Sequence, residues 1–455
     1  MGTKRYVTLV MAVLLAATVT GSLAAQQAEI SKKQDVAVFA LGYYGYNIPL
    51  EVLANVDAEI QGVFVNLGRF NVLGQTERFS SKDVQDFINL IQTAKQNNTP
   101  LPDEVKFGDV QLTEGLLKKL YGAFVVVIPT IVDFSVEKSN NEYQARIKTS
   151  VSFLNVAEGA TIGMANIETT GTSKETQSKA VAEAINAIPV QLTYEVRKIP
   201  AFTLRTQVFQ ANAFEAKMQF GTDMGVVVGD EYVVVKRSTL GGLVDEQEDG
   251  LLVVKDVGPQ ISTAAVRYAG PTLKEGAQLR EVPRLGIDVE PYLYYLTYFS
   301  SVEGWDLGTQ DPKTTEGALA VGAKFAFSRG FYDVRPIAGV QINFDSALWI
   351  PVIAYGGFEY NIFLRRFAVT GTAAFAGASN AIGRLLEENL SESDDPWFTH
   401  YGIKLNVGTS YLVSRDMRIF VNGGMDYLLG IADGLGGPFQ SYGGYGIAAG
   451  VAFKL

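Results

Sequence analysis

The chain has 455 residues and no cysteine, which excludes disulfides, thiol chemistry and a lipoprotein anchor through cysteine. Its net charge of −10 argues against a nucleic-acid partner, because a phosphate backbone attracts basic patches. The length suits about three domains.

Met1–Ala24 reads as a secretory signal: Lys4 and Arg5 precede an apolar run from Val7 to Val19, and Ser22-Leu23-Ala24 offers a small-x-small cleavage site. That run is short for a membrane span, and no later stretch suits a membrane helix. Integral membrane contact would therefore come from strands.

Residues 31–200 read as an α/β domain. Asp35–Leu41 (DVAVFAL) is a short apolar strand. Leu50, Leu53, Val56, Ile60 and Phe64 are spaced for one face of a helix over residues 50–67. Arg69–Leu73 is a second strand, and Ser81 is placed to cap a helix bearing Val84, Phe87, Ile88 and Ile91. An apolar run lies within Gly122–Phe134, followed by strands over Tyr143–Asn155 and Gly163–Thr172. A helix from about Lys174 buries Ala180, Val181, Ala184, Ile185 and Ile188 until Pro189 breaks or kinks it.

This order resembles the periplasmic α/β domain shared by the curli secretion channel protein, the amino-terminal part of the TolB translocation protein and the middle domain of the flagellar H-ring protein FlgT. DVAVFAL at 35–41, RFNVLGQTE at 69–77 and FVVVIPTIVDFSVE at 124–137 carry the resemblance. It implies a recognition or assembly module without a catalytic centre. The curli channel, however, builds its barrel by oligomerising and uses a lipidated cysteine, which this chain lacks.

From residue 202 to 282 the texture changes to short strands and glycines. Gly221–Arg237 and Gly250–Gly270 look like the small SH3-like β-barrel of FlgT-type proteins, with a Gly-x-x-x-Gly-Asp turn at Gly225, Gly229 and Asp230. These three are read as turn residues, not ligand contacts. FlgT-like proteins are soluble, so whatever follows here departs from them.

Residues 285–455 divide into eight segments that alternate apolar with small or polar residues, the period of a strand. Connections alternate between tight (Ser328–Tyr332, Leu364–Arg366, Ser414–Asp416) and long (Phe299–Glu316, Ala378–His400, Ala432–Ser441). A soluble sandwich would bury the apolar face on a second sheet, whereas a membrane barrel presents it to lipid and fills its lumen with the other face. The apolar face carries no charge, which favours the barrel. Its aromatics gather near strand ends, as interfacial girdles do: Tyr295, Phe344, Phe375, Tyr401, Tyr427 and Tyr445 toward the long loops, and Phe327, Tyr360, Phe367, Tyr411 and Phe453 toward the tight turns.

The inner face carries Asp288, Glu290, Asp333, Glu359 and Asp426 against Lys324, Arg335, Lys404, Arg418 and Lys454. Buried charges persist when paired, and this set balances. Since an eight-stranded lumen is just wide enough for its side chains, the expectation is a plugged, ion-paired interior. Phe299–Glu316 and Ala378–His400 would be the exposed loops.

The terminal alternation Tyr445, Ile447, Ala449, Val451, Phe453, Leu455 resembles the signal read by the outer-membrane assembly machinery, although that signal usually ends in Phe. Some eight-stranded barrels modify lipids with Ser, His and an acid, but the one histidine, His400, is close to Ser391, Ser393, Asp394 and Asp395 in sequence alone. Glu387, Glu388, Glu392, Asp394 and Asp395 match no defined calcium loop and read as a solvated acidic loop.

The expectation is an α+β multidomain protein of the cell outer membrane: a periplasmic α/β domain, an SH3-like β domain, then an eight-stranded antiparallel barrel. It would be non-enzymatic, without cofactor, catalytic residue or metal. It would tether a module for envelope or motility-apparatus assembly to outer-membrane lipids, with an unidentified periplasmic protein as partner. Transport through the barrel is the alternative, with a lipid-modifying enzyme behind it.

Overall fold

The run DVAVFAL is apolar without alternation because both faces of its strand are covered. This computed structural model describes residues 30–43, 48–78, 81–97, 104–107, 110–113, 123–139, 141–156, 158–241, 243–305, 312–344, 352–379, 398–430 and 441–455. The expected leader lies outside them.

The first unit runs β1 (Gln34–Ala40), β2 (Gly42–Tyr43), α1 (Leu50–Asn66), β3 (Phe70–Arg78), α2 (Ser81–Gln96), β4 (Glu104–Phe107), β5 (Val110–Thr113), β6 (Val125–Ser139), β7 (Glu142–Asn155), β8 (Ala160–Ser173), α3 (Gln177–Asn186) and α4 (Ile188–Lys198). Its sheet has the order β3-β1-β6-β7-β8, parallel at β3-β1-β6 and antiparallel beyond, with β2 paired to β6. Val36 and Val38 pack with Leu53, Val56, Ile60 and Phe64 of α1 and with α3 and α4. Ala37 and Phe39 point the other way, onto Phe87 of α2. The hairpin β4–β5 and the short β2 had no clear sequence signal.

The helix expected from Lys174 is interrupted as its proline suggested, but before Pro189: one helix ends at Asn186 and a second, which carries Ile188, begins there. Thr176 caps the first by accepting from the Lys179 backbone N–H at 3.2 Å. Pro189 sits in the opening turn of the second, where its missing N–H costs nothing.

The second unit contains β9 (Arg205–Ala211), β10 (Glu215–Gln219), β11 (Glu231–Leu240), β12 (Leu243–Val257), β13 (Ile261–Ala269) and β14 (Gln278–Val282). They close into a six-stranded barrel of order β10-β13-β12-β11-β14-β9 around Leu204, Val208, Met218, Tyr232, Val234, Leu252, Val254 and Leu279.

The third unit is a closed antiparallel barrel of eight strands paired strictly in chain order. These are β15 (Ile287–Trp305), β16 (Pro312–Phe327), β17 (Val334–Phe344), β18 (Val352–Leu364), β19 (Phe367–Ser379), β20 (His400–Leu412), β21 (Met417–Gly430) and β22 (Ser441–Lys454). Closure pairs β22 with β15, so the sheet has no open edge. The expected loop Phe299–Glu316 is mostly hairpin: after a register shift, Val302 pairs with Thr315 and Trp305 with Pro312. Most of the Ala378–His400 and Ala432–Ser441 connections lie outside the described residues.

Burial alternates along each strand as the period-two pattern requires. In β15, Tyr292, Tyr294, Leu296 and Tyr298 are buried, while Leu293, Tyr295 and Phe299 are exposed outward. Inside, large rings lie over glycines of the adjacent strand. Tyr292 faces Gly322 and Tyr355 faces Gly339 in register, and a Cβ built on either glycine would lie 2.3 Å from the ring.

Gly322→Ala therefore displaces the Tyr292 ring and its hydroxyl bonds to Gln341 and Tyr355. Thermal unfolding in detergent should show a loss of about 1–3 kcal/mol. Adding Tyr292→Ala should recover part of that loss, giving a non-additive double-mutant cycle.

Candidate functional site

Two regions gather the most deeply buried charged side chains: the interior of the eight-stranded barrel and the junction beneath its tight turns. In the interior, Arg335 pairs with Asp288 at 2.9 Å and also with Glu359. Lys324 bridges Glu359 and Glu290, the latter at 2.9 Å, and Arg418 reaches Glu290 at 2.6 Å. Five strands thus contribute to one connected cluster. Higher in the lumen Lys404 holds Asp426 at 2.8 Å and lies 4.4 Å above the Tyr294 ring. The Tyr292 and Tyr355 hydroxyls meet at 3.1 Å, as do those of Tyr298 and Tyr442.

Two of the ten expected interior charges lie elsewhere. Asp333 stands exposed in the turn before β17, because the chain has not yet entered the barrel there. Lys454 lies at the barrel mouth and pairs with Glu231 of the six-stranded barrel.

All the expected girdle residues point outward. Tyr295, Phe344, Phe375, Tyr401, Tyr427 and Tyr445 are exposed toward one rim, and Phe327, Tyr360, Phe367 and Phe453 toward the other, with Tyr411 half-buried against Phe367. Phe367 and Phe375 are eight residues apart on β19. At about 3.3 Å per residue and a tilt near 40° that spans roughly 20 Å of height, within the apolar band of a membrane barrel.

His400 is buried at the far end of the lumen, its Nδ1 2.9 Å from the Thr399 hydroxyl. Its sequence neighbours Ser391, Ser393, Asp394 and Asp395, and the acidic loop with Glu387, Glu388 and Glu392, lie outside the described residues. Among the described residues no group of three or more His, Asp or Glu side chains is arranged for a metal ion, and no helix is long and apolar enough to cross a membrane.

The junction joins all three units through buried charge. Arg69 beside β3 forks onto Glu281 of β14 at 2.7 and 3.0 Å. Arg197 of α4 donates to Glu281 and to Asp230, both at 2.8 Å. Asp230 also accepts from Arg329, in the first tight turn of the large barrel, at 3.2 Å. Burial alone would raise the Glu281 carboxyl, but Arg69 and Arg197 outweigh it and hold it well below the usual carboxylate range. Alongside, Arg284 reaches Glu231 at 3.1 Å and Asp416 of the third tight turn at 2.6 Å.

Gly225 and Gly229, read from sequence as turn residues, have a second use. With φ of 71° and 87°, each also brings backbone against a neighbouring unit. A Cβ on Gly225 would lie 1.8 Å from the Leu67 carbonyl oxygen, and one on Gly229 2.0 Å from that of Ser328. The Gly330 N–H donates to the Val228 carbonyl at 2.6 Å. The partners of Arg69, Arg197, Asp230 and Glu281 are up to 212 residues apart, so no local pattern could have announced them.

No family model matches the chain, and no curated protein matches it. Among solved structures, a designed transmembrane β-barrel is 11% identical, covering 37% of this chain and 96% of its own, with a TM-score of 0.22. The PelC dodecamer from Paraburkholderia phytofirmans is 13% identical over 36% of this chain and 94% of its own, at 0.21. The outer-membrane expressed OmpT of Vibrio cholerae is 8% identical over 70% of this chain and 100% of its own, at 0.17. Likeness at these scores carries no argument about activity.

Glu281→Gln leaves Arg69 and Arg197 buried without their charge partner, and should cost about 3–5 kcal/mol in denaturant unfolding of the full chain in detergent. The Glu281 carboxyl titrates lower in the folded chain than the ordinary value near 4.3, so its stabilisation is complete above that value. It is lost as pH falls through the folded pKa, and the stability gap between wild type and variant should narrow below about pH 4.

Proposed function

We propose that the chain is a non-enzymatic outer-membrane protein whose plugged barrel anchors a periplasmic interaction module for envelope or motility-apparatus assembly. The observation that carries this reading is the large barrel's division of labour. Its outer face is apolar from rim to rim, and its interior is closed by paired charges and tyrosines. An apolar belt on a sheet without edges is stable where no water competes for the backbone. An interior filled by side chains leaves no continuous path for ions.

The α/β unit is the module in this reading. It has both sheet faces covered, and Arg69 and Arg197 fasten it to the six-stranded barrel through Glu281. The six-stranded barrel is in turn fastened to the tight-turn rim, which lies on the periplasmic side if the module does. A partner's pull on the module would then reach the membrane through a stiff connection. Outer-membrane lipids, the assembly machinery that inserts barrels and a periplasmic protein are the partners this reading requires.

Planar-bilayer recording of the reconstituted full chain tests it. The expected trace is silent, with no steady open level. A persistent conductance would overturn the plugged anchor in favour of transport. Glu359→Ala leaves Lys324 and Arg335 short of a shared carboxylate and should introduce flickering openings or lower thermal stability.

A further inference from the structure

Arg267 in β13 is the one arginine among the described residues that is deeply buried and meets only aromatic rings. It is 7% exposed, its guanidinium carbon 3.4 Å from the Phe363 ring centroid and 5.1 Å from that of Tyr332. Among the described residues no ion pair or hydrogen bond reaches its side chain. Stacking satisfies a face of the guanidinium, but its five N–H donors lie in the plane and call for an acceptor. The local backbone explains the orientation: Leu251 pairs with Tyr268 and Leu252 with Val266, leaving Arg267 as the extra residue of a β-bulge. Bulges turn a side chain out of the strand's regular alternation and recur beside functional sites.

Arg267 lines a small cavity between the six-stranded barrel and the mouth of the large one. The other cations of this wall are Arg335, Arg418 and Lys454, already paired with carboxylates, and Arg365 and Arg366, which are not. Arg366 donates to the Leu412 and Val413 carbonyls and stacks on Tyr268 at 3.9 Å, while Arg365 is exposed in the second tight turn. Among the described residues three guanidinium groups at one mouth therefore have no ion-pair partner, the wall's carboxylates Glu231 and Asp288 being engaged by Arg284, Lys454 and Arg335. Burial lowers the Arg267 pKa to about 10; Tyr332 and Glu231 oppose that fall, and Arg335 and Arg418 add to it.

The mouth is reachable. One groove is lined by Arg267, Tyr268, Arg365 and Arg366 together with Phe367 and Tyr411 of the outward aromatic row; its carboxylates are Glu248, paired with Arg280 and Arg415, and Asp249, which accepts from the Thr272 backbone N–H. A group held at that row would thus meet the three arginines.

We propose that Arg267, with Arg365 and Arg366, forms a binding site for a phosphate group at the junction of the two barrels, supplied by an anionic phospholipid headgroup or by free phosphate. Arginine forks match phosphate oxygens, and a stacked, preformed guanidinium loses little freedom on binding one. The free-phosphate source stands without the membrane reading; the lipid source rests on it.

Purified full chain in phosphate-free maltoside micelles is titrated in separate arms with inorganic phosphate at constant ionic strength and with phosphatidylglycerol. Binding is read by 31P NMR and by native mass spectrometry. Saturable binding of one equivalent is expected in at least one arm, and the arm that binds identifies the source. Arg267→Met, which keeps the apolar stem, should weaken it about tenfold or more. Arg365→Asn, which tolerates the left-handed turn at φ 60°, should weaken it severalfold without affecting folding. Should Arg267→Met fail to fold, Arg365→Asn decides. No saturable binding in either arm, or equal binding by wild type and every folded variant, overturns the proposal.

Discussion

The large barrel depends on one constraint: side chains of successive residues leave opposite faces of a strand, and a closed sheet converts those faces into an inside and an outside. Once β22 pairs with β15, every apolar residue of the outward register is committed to the exterior and every charge of the inward register to the lumen. A one-residue slip in any strand would place Arg335 or Glu359 outside. The ion pairs that hold these side chains together thus also guard the register. Tyrosine over glycine adds a steric check, because Tyr292 and Tyr355 fit only where the facing residue has no Cβ.

The small barrel works differently. Its core is ordinary and apolar, and its most deeply buried ion pairs lie where the other units attach. Removing Arg197 or Glu281 from water is costly, and the donors and acceptors around them offset that cost only when all three units are docked. Specific docking geometry, more than net stability, is what such a cluster contributes.

Legibility from sequence followed the range of the signals. The strands of the large barrel, their inward and outward faces and most of the interior charges followed from a two-residue period, which is local; which charge meets which did not. The apolar strands and helix faces of the α/β unit were legible from signals equally local, an unbroken apolar run and a helical spacing. The hairpin β4–β5 was not, being four-residue strands without strong patterning. Strand lengths above the rim were underestimated because Phe299–Glu316 is polar and irregular, although the backbone still pairs there. The placement of Asp333 and Lys454 failed at strand ends, where alternation no longer says whether a residue is inside the barrel or beyond it. The junction was invisible: Arg69, Arg197 and Glu281 are unremarkable in their own segments, Asp230 reads there only as a turn residue, and the four meet only through tertiary packing.

The central claim is that the outer face of the eight-stranded barrel contacts hydrocarbon. The absence of native cysteine allows nitroxide labels to be placed singly. Labels at Phe358 and Leu405, outward and away from both rims, would be compared by spin resonance in lipid bilayers with one at Leu240, on the exposed hairpin tip of the small barrel. The account predicts that Phe358 and Leu405 collide freely with oxygen and hardly with a water-soluble nickel chelate, and that Leu240 does the reverse. Nickel access at Phe358 and Leu405 equal to that at Leu240 would contradict it.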